Sequence, residues 1–102
     1  MKGSHKVSIL QGKAKRCYLT DAEGVLLEKH HIVFGSGFRK ISDRNGLWVW
    51  LRPELHRGTY GVHGREGHKL DRRLKQDCQR AYEAEYGHTA WMELIGVNYL
   101  DE

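Results

Sequence analysis

Two adjacent histidines, His30 and His31, are the residues of this sequence best suited to metal-assisted catalysis. They lie in an apolar stretch that predicts a short strand over residues 29–34. Because neighbouring side chains of a strand point to opposite faces, one imidazole can bind a buried metal ion while the other faces a substrate. His56 and His63 follow downstream as further candidate ligands. We therefore expect His30, His56 and His63 to bind one divalent metal ion, with His31 as a general base.

The chemistry of such a site depends on the coordination positions that three imidazole ligands leave free on the ion. Neutral imidazole is the commonest protein metal ligand, and three protein ligands leave a coordination position for water or substrate. Zn²⁺, Mn²⁺ and Ni²⁺ suit nitrogen ligands better than Mg²⁺, although the sequence does not decide among the four ions. A free imidazole can accept a proton from an attacking water molecule, which contributes roughly 10²–10⁴-fold to the rate.

The elements expected to position these histidines begin with two strands and a long loop. Residues 47–51 are aromatic and aliphatic in a continuous run, which predicts a second strand. Between the strands, two glycines and the turn signal Asn45-Gly46 interrupt regular structure. We therefore expect residues 35–46 to form a loop, and residues 54–67, with four glycines, to be irregular.

The second half of the chain predicts two helices. Apolar or small residues recur every three or four positions from 69 to 86, which predicts an amphipathic helix that ends at Gly87. Thr89 is expected to cap a short final helix that ends at Gly96. Residues 98–100 are expected to pack back on the body of the protein.

Composition bounds the class of protein. A chain of 102 residues fits one domain, and no apolar run is long enough to span a bilayer. The N-terminus lacks the apolar segment of a secretory signal. Cys17 and Cys78 stand in unlike contexts without a CxxC pair, which favours a reducing compartment and no disulfide framework. The formal net charge of +4 favours a polyanionic partner, although many proteins carry such a charge for solubility alone.

Six basic residues near the expected site could contact nucleic-acid phosphates. Such contacts are independent of base sequence and sensitive to salt. For any one of these residues the alternative is an ordinary solvated surface, and acidic residues interspersed along the helix weaken the electrostatic case. The candidates are Arg39, Lys40 and Arg44 in the loop, and Lys69, Arg72 and Arg73 at the start of the long helix.

The order of these features resembles the HNH endonuclease family, whose ββα-metal motif consists of two antiparallel strands, a loop and a helix. His30-His31 matches the family's metal ligand followed by its general base, as in nuclease colicins. Leu51 to His56 stands where the family often reads Leu-Cys-x-x-Cys-His, which makes His56 a ligand and His63 the last one. The chain is similar along nearly its whole length to small phage and prophage proteins of HNH type. The segments that carry this resemblance are Ser8–Gln11, Cys17–Thr20, Lys29–Ile32, Arg39–Asp43, Trp48–Pro53, Gly61–His63, Leu74–Gln79 and Ile95–Leu100.

The resemblance implies an α+β fold with a treble-clef-like ββα-metal core over residues 29–86. A short β-hairpin, a long helix and a short C-terminal helix would form one domain over 1–102, with an N-terminal arm over 1–16 and the final helix and tail over 88–102. The implied partner is double-stranded or branched DNA in the cytoplasm of a bacterial host, with no membrane. The oligomeric state stays open, a homodimer included. Asn45 lies nearest to the family's asparagine that orients the base.

The chain departs from the family at the second metal site. Many members hold a structural zinc ion with two CxxC pairs. Here Cys17 is followed by Thr20 at the matching position, and Arg52 and Leu55 occupy the second pair. One thiol cannot bind that zinc ion, so we expect no second metal.

The spacing of the last two ligands leaves two possibilities. Seven residues separate His56 from His63, which exceeds one helical turn. Either the long helix begins late and both ligands come from the loop that precedes it, or one of the two is not a ligand and His68 is the reserve candidate.

The sequence leaves three functional hypotheses open. The first is a metal-dependent DNA endonuclease or nickase in which His31 deprotonates water. The alternative is a non-catalytic phage recombination or DNA-binding accessory module with a structural metal. The third is a small interaction protein without a metal, whose melting temperature and DNA affinity chelators would not change.

Overall fold

The chain folds around one antiparallel β-hairpin that is surrounded by helices. A computed structural model describes residues 7–35 and 37–100. Within those residues it shows a small α+β fold, as the sequence predicts. In chain order the elements are β1 (Glu28–His31), α1 (Phe38–Asn45), β2 (Trp48–Leu51), α2 (Pro53–Arg57), α3 (His68–Tyr86) and α4 (His88–Leu94).

The two strands pair in a register that separates a buried face from a more open one. His30 lies opposite Val49, and both side chains are fully buried. On the other face, His31 lies opposite Trp48, whose ring contacts Trp50 edge-on at 5.6 Å between centroids. The alternation expected of a strand therefore places His30 and His31 in different surroundings.

The expectation of a loop over residues 35–46 is wrong, because most of that segment forms α1. The segment begins and ends at glycines in the left-handed region, Gly37 at φ 86° and Gly46 at φ 71°. Asn45-Gly46 thus marks the end of a helix rather than a turn within a loop. Ile41 packs against the core, and the buried Ser42 hydroxyl donates to the Val33 carbonyl oxygen at 2.7 Å.

The segment expected to be irregular begins with the short helix α2. Pro53 occupies its first turn, where the missing N–H is not needed for an intrahelical hydrogen bond. After α2, residues 58–67 follow three successive turns: the N–H groups of Gly61, Gly64 and Gly67 donate to the carbonyl oxygens of Gly58, Gly61 and Gly64 at 2.9, 2.8 and 3.1 Å. Glycine recurs at every third position because these turns bring backbone atoms into close contact.

The two C-terminal helices agree with the sequence, with one correction. Helix α3 covers the predicted segment, and Gly87 at φ 90° separates it from α4. Thr89 is the second residue of α4 rather than its cap, because α4 begins directly after Gly87. Trp91 of α4 is fully buried and contacts Tyr82 of α3 at 5.6 Å between ring centroids.

Both ends of the described chain are held to the core by polar contacts. The predicted return of the C-terminal tail is confirmed, because the Gln79 side chain donates to Asn98 Oδ1 and accepts from the Tyr99 N–H, each at 2.8 Å. Residues 1–6 of the expected N-terminal arm (1–16) lie outside the described residues. Ser8 forms a single β-bridge with Gly12, and its hydroxyl donates to the Trp48 carbonyl oxygen at 2.6 Å. None of the helices that the structure describes is long and apolar enough to cross a membrane.

Candidate metal centre

Three of the predicted ligands converge on one point. His30, His56 and His63 each offer a ring nitrogen, and these atoms all lie within 4.8 Å of one another. The ring centroids are 5.2 Å apart for His30 and His56, 5.0 Å for His30 and His63, and 4.9 Å for His56 and His63. His68, the reserve candidate, begins α3 outside this group. The three come from β1, α2 and the 58–67 loop, so the site joins three parts of the fold.

The surroundings of His30 fit a metal ligand. Its side chain is fully buried, and within the described part of the chain neither ring nitrogen has a hydrogen-bond partner. A buried polar group without a partner destabilises a fold by about 1–3 kcal/mol, so a ligand for such a group is expected. Burial lowers the pKa of His30 to about 3, with smaller contributions from His63 and His56. His30 is therefore neutral at physiological pH, the form that binds a metal ion.

Backbone contacts explain how residues seven positions apart approach each other. The His63 N–H donates to the His56 carbonyl oxygen at 3.0 Å, and the preceding Val62 N–H donates to Leu55 at 2.8 Å. A Cβ atom at Gly64 would overlap the Gly58 carbonyl oxygen, so the turn that follows His63 requires glycine. Helix α3 begins late, at His68, as the first of the two possibilities requires, but only His63 comes from the preceding loop because His56 belongs to α2.

The other two candidate ligands, His56 and His63, differ in exposure and in their contacts. His56 Nδ1 lies 2.8 Å from Glu28 Oε1, which leaves Nε2 on the opposite side of the ring for a metal ion. His63 is largely exposed. The part of its ring that is buried lowers its pKa, and the nearby His56 lowers it further, whereas Asp71 raises it. Graded exposure from His30 to His63 gives the site one closed and one open side.

His31 contacts a carboxylate rather than the three-histidine group. Its Nε2 lies 2.8 Å from Asp43 Oδ1, and Lys29 Nζ lies 3.0 Å from the same oxygen. Burial raises the pKa of Asp43, but the hydrogen bonds with Lys29 and His31 outweigh it and leave that pKa below its ordinary value. An ionised Asp43 accepts a hydrogen bond from Nε2–H, so Nδ1 is the basic nitrogen of His31.

The hypothesis that Asn45 orients His31 is not supported by the contacts. The Asn45 side-chain amide donates to the Ile41 carbonyl oxygen within α1 at 2.9 Å. Asp43, two residues earlier, occupies the orienting position instead. Sequence reasoning missed Asp43 because residues 35–46 were expected to form a loop. In the structure most of these residues form helix α1, which places Asp43 beside His31.

A cavity of about 490 Å³ connects the candidate base with the metal site. The Phe34 ring contacts His63 at 5.0 Å between centroids, and Lys75 Nζ lies 4.6 Å above Phe34. The lining of the cavity consists of Lys29, His31, Phe34, Gly35, Arg39, His56 and His63.

The six predicted phosphate contacts are distributed unevenly around this cavity. Arg39 of α1 lines it. Arg73 on α3 lies 3.8 Å from Asp77, which reduces its availability for a phosphate. The other four residues are exposed on the surface and do not line the cavity: Lys40, Arg44, Lys69 and Arg72.

Comparison of the chain with protein-family models, with curated proteins and with solved structures finds no match. What the site can do is therefore inferred from its own chemistry. Three imidazole ligands would leave a four-coordinate ion one position for water or substrate, as in catalytic rather than structural sites.

Proposed function

We propose that this chain is a metal-dependent endonuclease or nickase of the HNH type, in which β1, β2 and the ligand-bearing segments after β2 form a ββα-metal core. The observation that carries the proposal is the convergence of His30, His56 and His63 beside a cavity that also contains His31. A purely structural metal would not require an unligated imidazole, paired with a carboxylate, at the mouth of the same cavity.

His30, His56 and His63 would hold the ion. When bound there, a divalent ion would supply electrostatic stabilisation of the negative charge that develops on the phosphate oxygens. Zn²⁺, Mn²⁺ and Ni²⁺ fit the nitrogen ligands best, and Mg²⁺ fits them least.

His31 supplies the base in this proposal. Its Nδ1 accepts a proton from a water molecule, whose oxygen forms the new bond to phosphorus as the ester oxygen departs and takes a proton from solvent. Asp43 holds the ring through Nε2–H and stabilises the imidazolium that forms. Lys29 holds the Asp43 carboxylate in place.

DNA is the proposed substrate because the cavity and the charge of the chain both suit a polyanion. Arg39 lines the cavity and can bind a phosphate next to the one that is cleaved. The net charge of +4 adds attraction that does not depend on base sequence.

The test is conversion of supercoiled plasmid to nicked or linear DNA with Mg²⁺, Mn²⁺, Ni²⁺ or Zn²⁺. We expect cleavage with at least one ion, and loss of cleavage with a chelator. His31→Ala should reduce the rate by roughly 10²–10⁴-fold while the metal affinity stays nearly unchanged. His68→Ala, which removes a histidine outside the site, should cleave like the parent. Cleavage by His31→Ala at the parent's rate would rule out the mechanism. Binding of one metal without cleavage under any ion would favour the alternative, a DNA-binding accessory module.

A further inference from the structure

We propose that Glu28, held by Arg57, is a positioning residue that makes Nε2 of His56 the metal-binding atom. This inference rests on the metal site of the proposed function but not on the nuclease reaction. It assigns a task to an acidic residue and a basic residue that lie outside the three-histidine group.

The hydrogen bond between Glu28 and His56 determines where the ring proton lies. Glu28 Oε1 is 2.8 Å from His56 Nδ1. An ionised carboxylate can only accept, so in the neutral imidazole Nδ1 carries the hydrogen and Nε2 carries the free lone pair. Without this bond the ring could rotate, which would move Nε2 away from the metal position, or adopt the other tautomer, which would place the hydrogen on Nε2 and remove its free lone pair.

Arg57 holds the Glu28 carboxylate in place, and that carboxylate in turn orients the His56 ring. Its Nε lies 2.9 Å from Oε1 and 3.1 Å from Oε2 of Glu28, and its Nη2 donates to Oε2. A planar guanidinium that contacts both oxygens restricts the carboxylate more than a single contact would. His56 and Arg57 are neighbours at the end of α2, so one side chain of β1 orients this end of the helix.

The strand pattern explains why Glu28 reaches this position. Glu28 and His30 are two residues apart on β1 and therefore point to the same face. The strand that supplies one metal ligand thus also supplies the carboxylate that orients a second. Carboxylate–histidine–metal arrangements of this kind fix the tautomer and raise the metal affinity, and their loss weakens binding by about 10–100-fold.

A simple surface ion pair makes a different prediction. The Arg57 side chain is 66 % exposed, and exposed ion pairs contribute little to folding stability. A positioning role predicts a large effect on metal affinity and on the His56 tautomer, whereas a structural role alone predicts a change in unfolding only.

The experiment compares Glu28→Ala with Glu54→Ala, which removes the same charge from an exposed position on α2 that pairs with Arg52. Nitrogen-15 NMR of the metal-free proteins reports the His56 tautomer, and calorimetric titration with Zn²⁺ reports affinity. We expect the Nδ1–H form in the parent and in Glu54→Ala. We expect loss of that preference, and zinc binding weakened by about 10–100-fold, in Glu28→Ala. Equal tautomers and equal zinc affinities in the two variants would overturn the proposal.

A second pair of variants keeps the test valid if Glu28→Ala does not fold. Arg57→Ala leaves the Glu28 carboxylate in place but frees it, and Arg52→Ala removes the same charge from the neighbouring exposed pair. Arg57→Ala should weaken zinc binding more than Arg52→Ala does, and equal affinities would contradict the inference. Both measurements are made without DNA, so failure of the nuclease assay leaves their outcome unchanged.

Discussion

The imidazole of His31 lies outside the group formed by His30, His56 and His63, and we propose that it transfers a proton rather than binds the metal. Its Nε2 is engaged by Asp43, which leaves Nδ1 as its basic atom, and the residue lines the cavity. His30 has no hydrogen-bond partner in the described part of the chain, and His56 and His63 lie beside it. Three rings thus suit a metal and one suits proton transfer.

Replacement of Asp43 by asparagine should reduce catalysis without loss of the metal. The amide carries no charge to stabilise the imidazolium, so part of the ~10²–10⁴-fold contribution of the base is lost, about 10-fold or more. Plasmid cleavage rates and zinc titration measure the two quantities separately. Asp21→Asn, at an exposed position that does not line the cavity beside His31, is the control. A cleavage rate for Asp43→Asn equal to that of the control would mean that Asp43 does not orient the base.

Residue types alone predicted the ligands but not their supporting groups. Histidine is rare enough that the doublet His30-His31 and the pair downstream stood out. Glu28, Asp43 and Arg57 were missed because charged residues are common on any surface. Their roles depend on distances that the sequence does not contain.

At the scale of elements, α1 is the part that positions Asp43. Ser42 is fully buried and donates to the carbonyl oxygen of Val33, just beyond β1. The next residue is Asp43, so this bond sets how the helix faces His31. Strand β1 and helix α1 are therefore linked next to the residue that contacts His31.

Ser42→Ala should destabilise the protein by about 1–3 kcal/mol, because it leaves the buried Val33 carbonyl oxygen without its donor. Urea denaturation measures the change as a lower midpoint at an unchanged slope. Thr89→Ala, on the exposed side of α4, should change stability by less than about 0.5 kcal/mol. The same midpoint for both variants would show that the Ser42 bond does not support α1.

The strands and the long helix were predictable because their patterns are strong. The aromatic and aliphatic run of β2 and the regular spacing of α3 each predicted the observed element. Helices α1 and α2 were missed because glycine, asparagine and proline near their ends were taken as signs of a loop. In the structure Gly37, Gly46 and Pro53 mark where these helices begin and end.

At the scale of the whole molecule, α3 is the element on which distant segments of the chain meet. The Tyr18 hydroxyl donates to Asp77 Oδ2 at 2.9 Å, and the Gln79 side chain holds the C-terminal tail on the same helix. Burial raises the pKa of Tyr18 to about 12, and the hydrogen bond with Asp77 adds to this shift.

The Tyr18–Asp77 contact predicts a loss of stability at high pH. The folded state keeps the Tyr18 proton, so its contribution is complete below the unfolded pKa of 10.0 and disappears as pH rises toward about 12. Tyr18→Phe should therefore show a shallower fall in unfolding free energy over this range. Urea denaturation at several pH values measures the difference, with Tyr60→Phe, an exposed tyrosine, as control. If the unfolding free energy of the two variants depends on pH in the same way, the Tyr18–Asp77 contact does not keep Tyr18 protonated.

The meeting of β1, α2 and the 58–67 loop at one point could not be derived from the sequence. Their approach depends on the backbone hydrogen bond between His63 and His56 and on close packing at glycines. The resemblance to HNH proteins suggested the same set of ligands. The structure adds their mutual distances and the order of their exposure.

The most direct test is a crystal structure of the zinc-loaded protein with the ion located by anomalous scattering. We predict one ion at about 2.0–2.1 Å from a ring nitrogen of each of His30, His56 and His63, with Nε2 as the His56 atom and with His31 still bonded to Asp43. An ion bound elsewhere, or one that takes His31 as a ligand in place of any of the three, would contradict the account.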